Sequence, residues 1–456
     1  MGGRLIGGLA GLALAAGSCA SGGSGDADVV SSTPATVATT VAPITASTVA
    51  STASTTSVVL SDSYRGVSAE SIAIAIPIVD EAAIRRDFSV ELNWGDQQAK
   101  YELALDAVNA AGGINGRRID ATFIEYVPVT QDKTDEVCLE ATEDLGVFAV
   151  VGFIRPDAGV LCFTELNDTP FVGGGDVPTS ETRDRSLVPA LYPAASAARI
   201  DEAMVEVMDQ RGELEGRTIA VHGRDPDRLD ALERALEDRG YSSVTRTLLD
   251  APESDALAMA SQLDVIVERW QADGVELVLN VTTNISMLSA VNRAGYEVAI
   301  ATTGTDVALG PDAVFAQGAT EAEVSRVTLV SQASGRVAYE SGHQPTVECV
   351  DRWNEAHPEE PAVFDPGEGD LENIGQVLFA CQNIELFALV AGAAGGDLTP
   401  VAMADALDDL GSVELAGISS GSLSADKWDV SDAMGVSVWD TAEQDFAASG
   451  EVYDIG

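Results

Sequence analysis

A chain of 456 residues is too long for one small hydrophobic core, so two or more packed units are expected. Hydrophobic residues make up 46% and charged residues 21%, ordinary globular usage that excludes a wholly disordered chain. The formal net charge of -48, with only three lysines (Lys100, Lys133, Lys427), excludes a nucleic-acid partner and repels an anionic membrane surface.

The N-terminus carries Arg4, an apolar run from Leu5 to Ala16, and the small residues Gly17 and Ser18 directly before Cys19. A run of about twelve residues reads as the apolar part of a secretory signal, because a bilayer span needs ~20. No later apolar stretch reads as long enough to span. Small residues followed by a cysteine resemble a bacterial lipobox, with Ala16 where such motifs usually carry Leu. That resemblance implies a signal peptide over 1–19, acylation of Cys19 and a membrane contact through the lipid anchor only, each buried acyl methylene contributing ~0.8 kcal/mol. Ordinary cleavage that leaves a free thiol is the alternative. From Ala20 to about Leu60 the chain is Ser, Thr, Ala, Val and Gly with few charges, a composition that buries no core, and 20–60 reads as a disordered stalk.

After the stalk, apolar β-rich runs alternate with amphipathic helical stretches. SIAIAIPIV (71–79) and RIDATFIEY (118–126) read as strands, with helices over 95–111 and 133–145. VFAVVGFI (147–154) and PFVGG (170–174) follow, then TIAVHG (218–223), a helix over 229–239, VELVLNV (275–281) and VAIATTG (298–304). Continuous apolar strands imply parallel sheets covered by helices on both faces, which bind ligands at the carboxyl ends of their strands.

With Cys19 assigned to lipid, Cys138, Cys162, Cys349 and Cys381 remain, and in an oxidising compartment they allow three pairings. The sequential pairing is expected, Cys138 with Cys162 and Cys349 with Cys381, with buried free thiols as the alternative. No CxxC occurs and the histidines, His222, His343 and His357, are scattered, so no metal and no cofactor is expected.

The stretch WGDQQAKYELALDAVNAAGGINGRRIDATFIEY, Trp94 to Tyr126, resembles the N-terminal region of leucine/isoleucine/valine-binding proteins, where a helix ends in an AGGINGR-type turn before the second strand. Gly112 and Gly113 suit the left-handed conformation that ends such a helix. The order of AVVGFIRPDAG, PFVGGGD, RTIAVHG, VELVLNVTTN, AGYEVAIATTG and a late MGVSVWD strand also matches, so the resemblance covers about 72–440. It implies an α/β, two-lobed type I periplasmic-binding fold, each lobe a mostly parallel sheet flanked by helices, with the ligand cleft between lobes. Crossings near Tyr192, Arg326 and Asp429 would divide the chain into lobe 1 (61–192 and 327–429) and lobe 2 (193–326 and 430–456), closing by a hinge.

The resemblance places ligand-binding residues in the loops after the strands. Ile154, Arg155, Pro156 and Asp157 stand where similar proteins hold a ligand carboxylate with small hydroxyl residues and backbone N–H groups. Arg155 offers a planar fork to a carboxylate instead, or is a solvated surface arginine. Gly174 and Gly175 let backbone N–H groups approach an anion, while Asp176 argues equally for a ligand ammonium. Asp306 falls where the family has an acid for that ammonium, and Asp227 near an expected tyrosine. Trp94 matches the aromatic wall of the family's pocket and is otherwise a core tryptophan. Thr283 and Asn284 end a strand at the cleft, with helix capping as the other reading of Asn284.

No GxSxG, HExxH, Walker loop or nucleotide-type GxGxxG is present, so the chain is not read as an enzyme. The expected function is extracytoplasmic capture of a small polar solute, an amino acid or a related amide or carboxylate, by a lipid-anchored monomer. An ABC permease and its ATPase are the partners the family implies. A ligand sensor that signals closure to a partner is the alternative, disfavoured by a chain that ends at Gly456 after a polar tail; an adhesive surface protein is a third.

Overall fold

SIAIAIPIV forms the first strand, and seven of its nine residues are buried because helices cover both faces of the sheet it enters. The structure is a computed structural model that describes residues 60–456 except 89–91, 93, 253–254, 283–285, 304–314, 316–317, 365–370 and 443. Cys19 and the stalk lie outside the described residues, as do Thr283, Asn284 and Asp306.

The strands β1 (Ser71–Val79), β2 (Arg118–Tyr126), β3 (Ala149–Gly152), β4 (Phe171–Gly173) and β5 (Ala190–Leu191) make a five-stranded parallel sheet in the order β2-β1-β3-β4-β5. A second sheet repeats that order with β6 (Ile219–Gly223), β7 (Ser243–Leu248), β8 (Leu277–Asn280), β9 (Ala299–Thr302) and β10 (Val327–Gln332), again parallel. The short β11 (Gly411–Ser412) and β12 (Ser422–Leu423) pair with each other. The second sheet is completed by β13 (Ala433–Asp440), antiparallel to β10, and β14 (Asp445–Asp454), antiparallel to β13. The fold is therefore α/β and two-lobed, with mostly parallel sheets flanked by helices.

Helices used below are α1 (Gln97–Ala110), α2 (Gln131–Leu139), α3 (Ser180–Arg185), α4 (Ala197–Gln210), α5 (Pro226–Asp238), α6 (Ala256–Asp273), α7 (Gln344–Ala356) and α8 (Leu371–Ala393). The Asp96 carboxylate accepts from the Ala99 N–H and caps α1. The turn after α1 depends on Gly113, whose φ is +67° and whose Cβ would fall 2.0 Å from the Arg117 carbonyl oxygen. Arg117, the last residue of the AGGINGR string, is itself buried and donates to the carbonyls of Ser61, Ser68 and Gly396, fastening the start of the domain to its far helices.

Two expectations are corrected. The chain was read to return to the first lobe near Arg326, yet VTLVSQ forms β10, which pairs with both β9 and β13, so the return follows Gln332. No later stretch was read as long enough to span a bilayer, yet Asn373–Ala393 in α8 is, by length and composition. It is the core helix of the first lobe, packed against α1, α7 and β3, with 67% of its span buried.

Both disulfides form as expected, Cys138 to Cys162 and Cys349 to Cys381; the second joins α7 to α8. The lobes meet where the chain crosses. The Tyr192 N–H donates to the Trp428 carbonyl and the Val430 N–H to the Tyr192 carbonyl, while Ala333 N–H donates to Ala433. On this seam Arg199 of α4 binds Asp429 at 2.8 Å and Asp432 at 2.5 Å.

His222 on β6 is wholly buried. Thr247 donates its hydroxyl to the Val221 carbonyl, so His222 Nδ1–H donates to Thr247 Oγ1 at 3.0 Å, and Nε2, near Trp270, has no partner among the described residues. Burial pushes the imidazole down to about 4. Against an unfolded value near 6.5, a lowered folded pKa means that the folded state binds fewer protons; stability is full above pH ~6.5 and falls by about 3 kcal/mol as pH drops to ~4. Denaturant unfolding at stepped pH should show this decline, and His222→Asn should remove it; an unchanged slope in the variant would assign the decline to other groups.

Candidate ligand cleft

Each sheet reverses its winding once, between β1 and β3 in the first and between β6 and β8 in the second. Ligands of such sheets bind outside the carboxyl ends of the strands at that reversal. In the first lobe the loops after β3 and β4 are described throughout, and the segment after β1 in part.

Gly175 brings these loops together, since a Cβ there would fall 2.4 Å from the Ile154 carbonyl oxygen. Arg155 Nε lies 2.9 Å from Asp176 Oδ1, and the Asp157 N–H donates to Asp176 Oδ2 at 3.2 Å. Burial raises the Asp176 pKa and the Arg155 charge holds it back. Arg155 is thus neither a solvated surface arginine nor a lone fork: its side chain is 21% exposed and is aimed by a carboxylate. Behind them, the Tyr126 hydroxyl donates to the Phe153 carbonyl at 3.0 Å and accepts the Arg155 N–H at 3.2 Å.

Asp157 is buried, and its oxygens are taken within the lobe. Tyr192 donates to Oδ1 at 3.0 Å, and Oδ2 accepts the Thr179 hydroxyl at 2.9 Å, the Thr179 N–H at 3.2 Å and the Thr182 hydroxyl. The carboxylate braces the loop to α3 and to the crossing at Tyr192. Trp94 is 1% exposed and packs edge-on against Phe153 at 5.2 Å, the core reading of that residue. Its carbonyl accepts from the buried Lys100 ammonium. Phe379 of α8, which the sequence did not single out, is only partly buried and meets Phe153 at 6.4 Å. Ile154 is buried, while Gly174 is in the same loop as Asp176.

In the second lobe Asp227 is exposed in the first turn of α5, its N–H bonded to the capping Asp225. Its neighbour Arg228 is the engaged residue: Nε and Nη2 donate to the two oxygens of Asp201 on α4, both at 2.6 Å. The Thr303 hydroxyl, just past β9, donates to the same carboxylate at 3.0 Å. Asp201 is fully buried; burial raises its pKa and Arg228 holds it back. A signal for this pair was present, because Asp201 falls on the apolar stripe of α4 with Met204 and Met208 and an acid there needs a cation. A polar pocket of about 160 Å³ between α4 and α5, lined by Arg199, Glu206, Arg234 and Arg239 among others, contains none of these cleft residues.

No protein-family model matches the sequence, and no curated protein sequence does. Solved structures do match in fold. An ABC transporter substrate-binding protein from Desulfitobacterium hafniense is 14% identical, with a TM-score of 0.57 over 83% of this chain and 100% of that one. A leucine-, isoleucine-, valine-, threonine- and alanine-binding protein from Brucella ovis is 16% identical, with a TM-score of 0.53 over 84% of this chain and 95% of that one. A solute-binding protein from Rhodopseudomonas palustris HaA2 in complex with p-hydroxybenzoic acid is 14% identical, with a TM-score of 0.54 over 85% and 98%. The chain has the two-lobed fold of these ABC transporter solute-binding proteins, the fold that its AGGINGR turn and strand order implied.

Proposed function

We propose that the protein is an extracytoplasmic solute-binding protein that captures a small carboxylate-bearing solute between its lobes and delivers it, without catalysis, to an ABC importer. The observation that carries this reading is Arg155, held by Asp176 at the carboxyl end of β3, one of the two strands flanking the reversal of the first sheet. A fork held in place gives up little freedom when it clamps a carboxylate. Solutes named in similar folds support the class: leucine in one D. hafniense complex, and p-hydroxybenzoic and 3,4-dihydroxybenzoic acid in two from R. palustris. Two disulfides suit an oxidising compartment, and Cys19 as an acylated anchor belongs to the same reading. Lobe 1 is then 61–192 with 333–429, and lobe 2 is 193–332 with 430–456, hinged at Tyr192, Gln332 and Asp429.

A thermal-shift panel of amino acids, amides and small carboxylates tests the function. A ligand at 100 times its Kd adds about 2.7 kcal/mol to unfolding, which a melting curve resolves. Arg155→Ala is expected to weaken the carboxylate ligand by more than ~2 kcal/mol, roughly thirtyfold. Unchanged affinity in calorimetry would put Arg155 outside the ligand's reach, and silence across the panel would reject small-solute capture.

A further inference from the structure

We propose that the second lobe supplies its own carboxylate fork, Arg228, and that the ligand is a small dicarboxylate bridging Arg155 and Arg228. This deepens the carboxylate reading above and rests on it.

Arg228 lies in the first turn of α5, directly after β6, one of the two strands that flank the reversal of the second sheet. Arg155 follows β3, one of the two strands that flank the reversal of the first sheet, whose counterpart in the second sheet is β8. Each lobe therefore presents a guanidinium where ligands of such sheets bind. Each guanidinium is aimed by a carboxylate brought from another element: Asp176 after β4 for Arg155, and Asp201 of α4 for Arg228.

Donors and acceptors at the second lobe decide the ligand's chemistry. Both oxygens of Asp201 are engaged, by Arg228 Nε, Arg228 Nη2 and the Thr303 hydroxyl, and the residue is fully buried. It offers little to a ligand ammonium. Among the described residues Arg228 Nη1 has no hydrogen-bond partner, and the side chain is 27% exposed. The pair thus has a donor to give and its acceptor turned inward, so its partner is an acceptor group. A planar guanidinium fits a carboxylate, and two of them in separate lobes require two separated carboxylates. A monocarboxylate engages one lobe and does nothing to hold the other closed. A dicarboxylate holds both, which makes the second charge the determinant of closure.

The test is titration calorimetry of the full chain with straight-chain dicarboxylates from succinate to suberate, and with the monocarboxylates of matching length. At least one dicarboxylate is expected to bind about tenfold tighter than its monocarboxylate partner or better. Arg228→Gln is expected to reduce that preference to about threefold or less. Because Arg228→Gln leaves buried Asp201 without its cation, Arg228→Lys is measured beside it, keeping the ion pair but not the planar fork, with the same loss expected. Monocarboxylate binding with no dicarboxylate preference, or a preference that survives in both variants, overturns this inference and leaves the reading of Arg155 standing. If neither series binds the unaltered protein, the dicarboxylate inference falls, and the carboxylate reading falls with it only if the thermal-shift panel is silent too.

Discussion

Asp157→Ala is expected to lose about 4 kcal/mol of unfolding free energy, because it deprives several buried donors of one shared acceptor. The Tyr192 and Thr182 hydroxyls lie in the interior and donate to this carboxylate, as do the hydroxyl and N–H of Thr179. Each buried donor left without a partner costs ~1–3 kcal/mol, and the contributions do not add in full because one network makes them. Asp157→Asn keeps one acceptor oxygen and should lose about half as much. Urea unfolding with an unchanged m-value is the measurement. A loss in the alanine variant below ~1 kcal/mol would show that the loop carrying Arg155 holds its shape by other means. The bond to Tyr192 gives the experiment a second use, since Tyr192 also bonds the crossing strand at Trp428 and Val430. A loosened loop is expected to loosen that seam, so ligand affinity should fall together with stability.

The Cys349→Ala, Cys381→Ala double variant is expected to lose a similar amount, about 4 kcal/mol. The disulfide closes a loop of 32 residues, and restoring that loop's freedom to the unfolded chain is worth about 3.7 kcal/mol in the chain-entropy treatment. Cys138 and Cys162, 24 residues apart, close a smaller loop worth about 3.5 kcal/mol by the same treatment. Guanidinium unfolding of the two double variants, with and without reductant, separates the bonds. Each variant should lose stability when its remaining disulfide is reduced. If reductant leaves the unaltered protein as stable as before, the bonds are not what holds these helices together.

Elements with a plain period or a continuous apolar run were legible. SIAIAIPIV and RIDATFIEY form β1 and β2 over the residues expected, and AGGING forms the turn between α1 and β2. The helix α8 was not legible, because a helix buried on most sides is apolar around its whole circumference and shows no amphipathic stripe. VTLVSQ was missed for a related reason: six residues give a short alternation, and its place in the second sheet depends on β9 and β13, which lie about 25 and 110 residues away in the chain. At the site, the loops after β3 and β4 could be located from the sequence, and Arg155, Gly175 and Asp176 stand in them. That Asp176 answers Arg155 and that Asp157 faces inward could not be read, since neighbours in sequence point to opposite partners only once two loops meet.

By itself the sequence determined the α/β class and the strands with a plain apolar run, such as β1 and β2, because periodicity, glycine turns and apolar runs act over a few residues. The sequential disulfide pairing was also within its reach. The tertiary structure decided which charges neutralise one another: Arg155 with Asp176, Arg228 with Asp201, and Asp157 with the hydroxyls of Tyr192, Thr179 and Thr182. The reason is physical. A carboxylate in an acidic chain has many equivalent neighbours along the sequence, and burial next to one particular guanidinium or hydroxyl, which only packing creates, separates a brace from a binding residue.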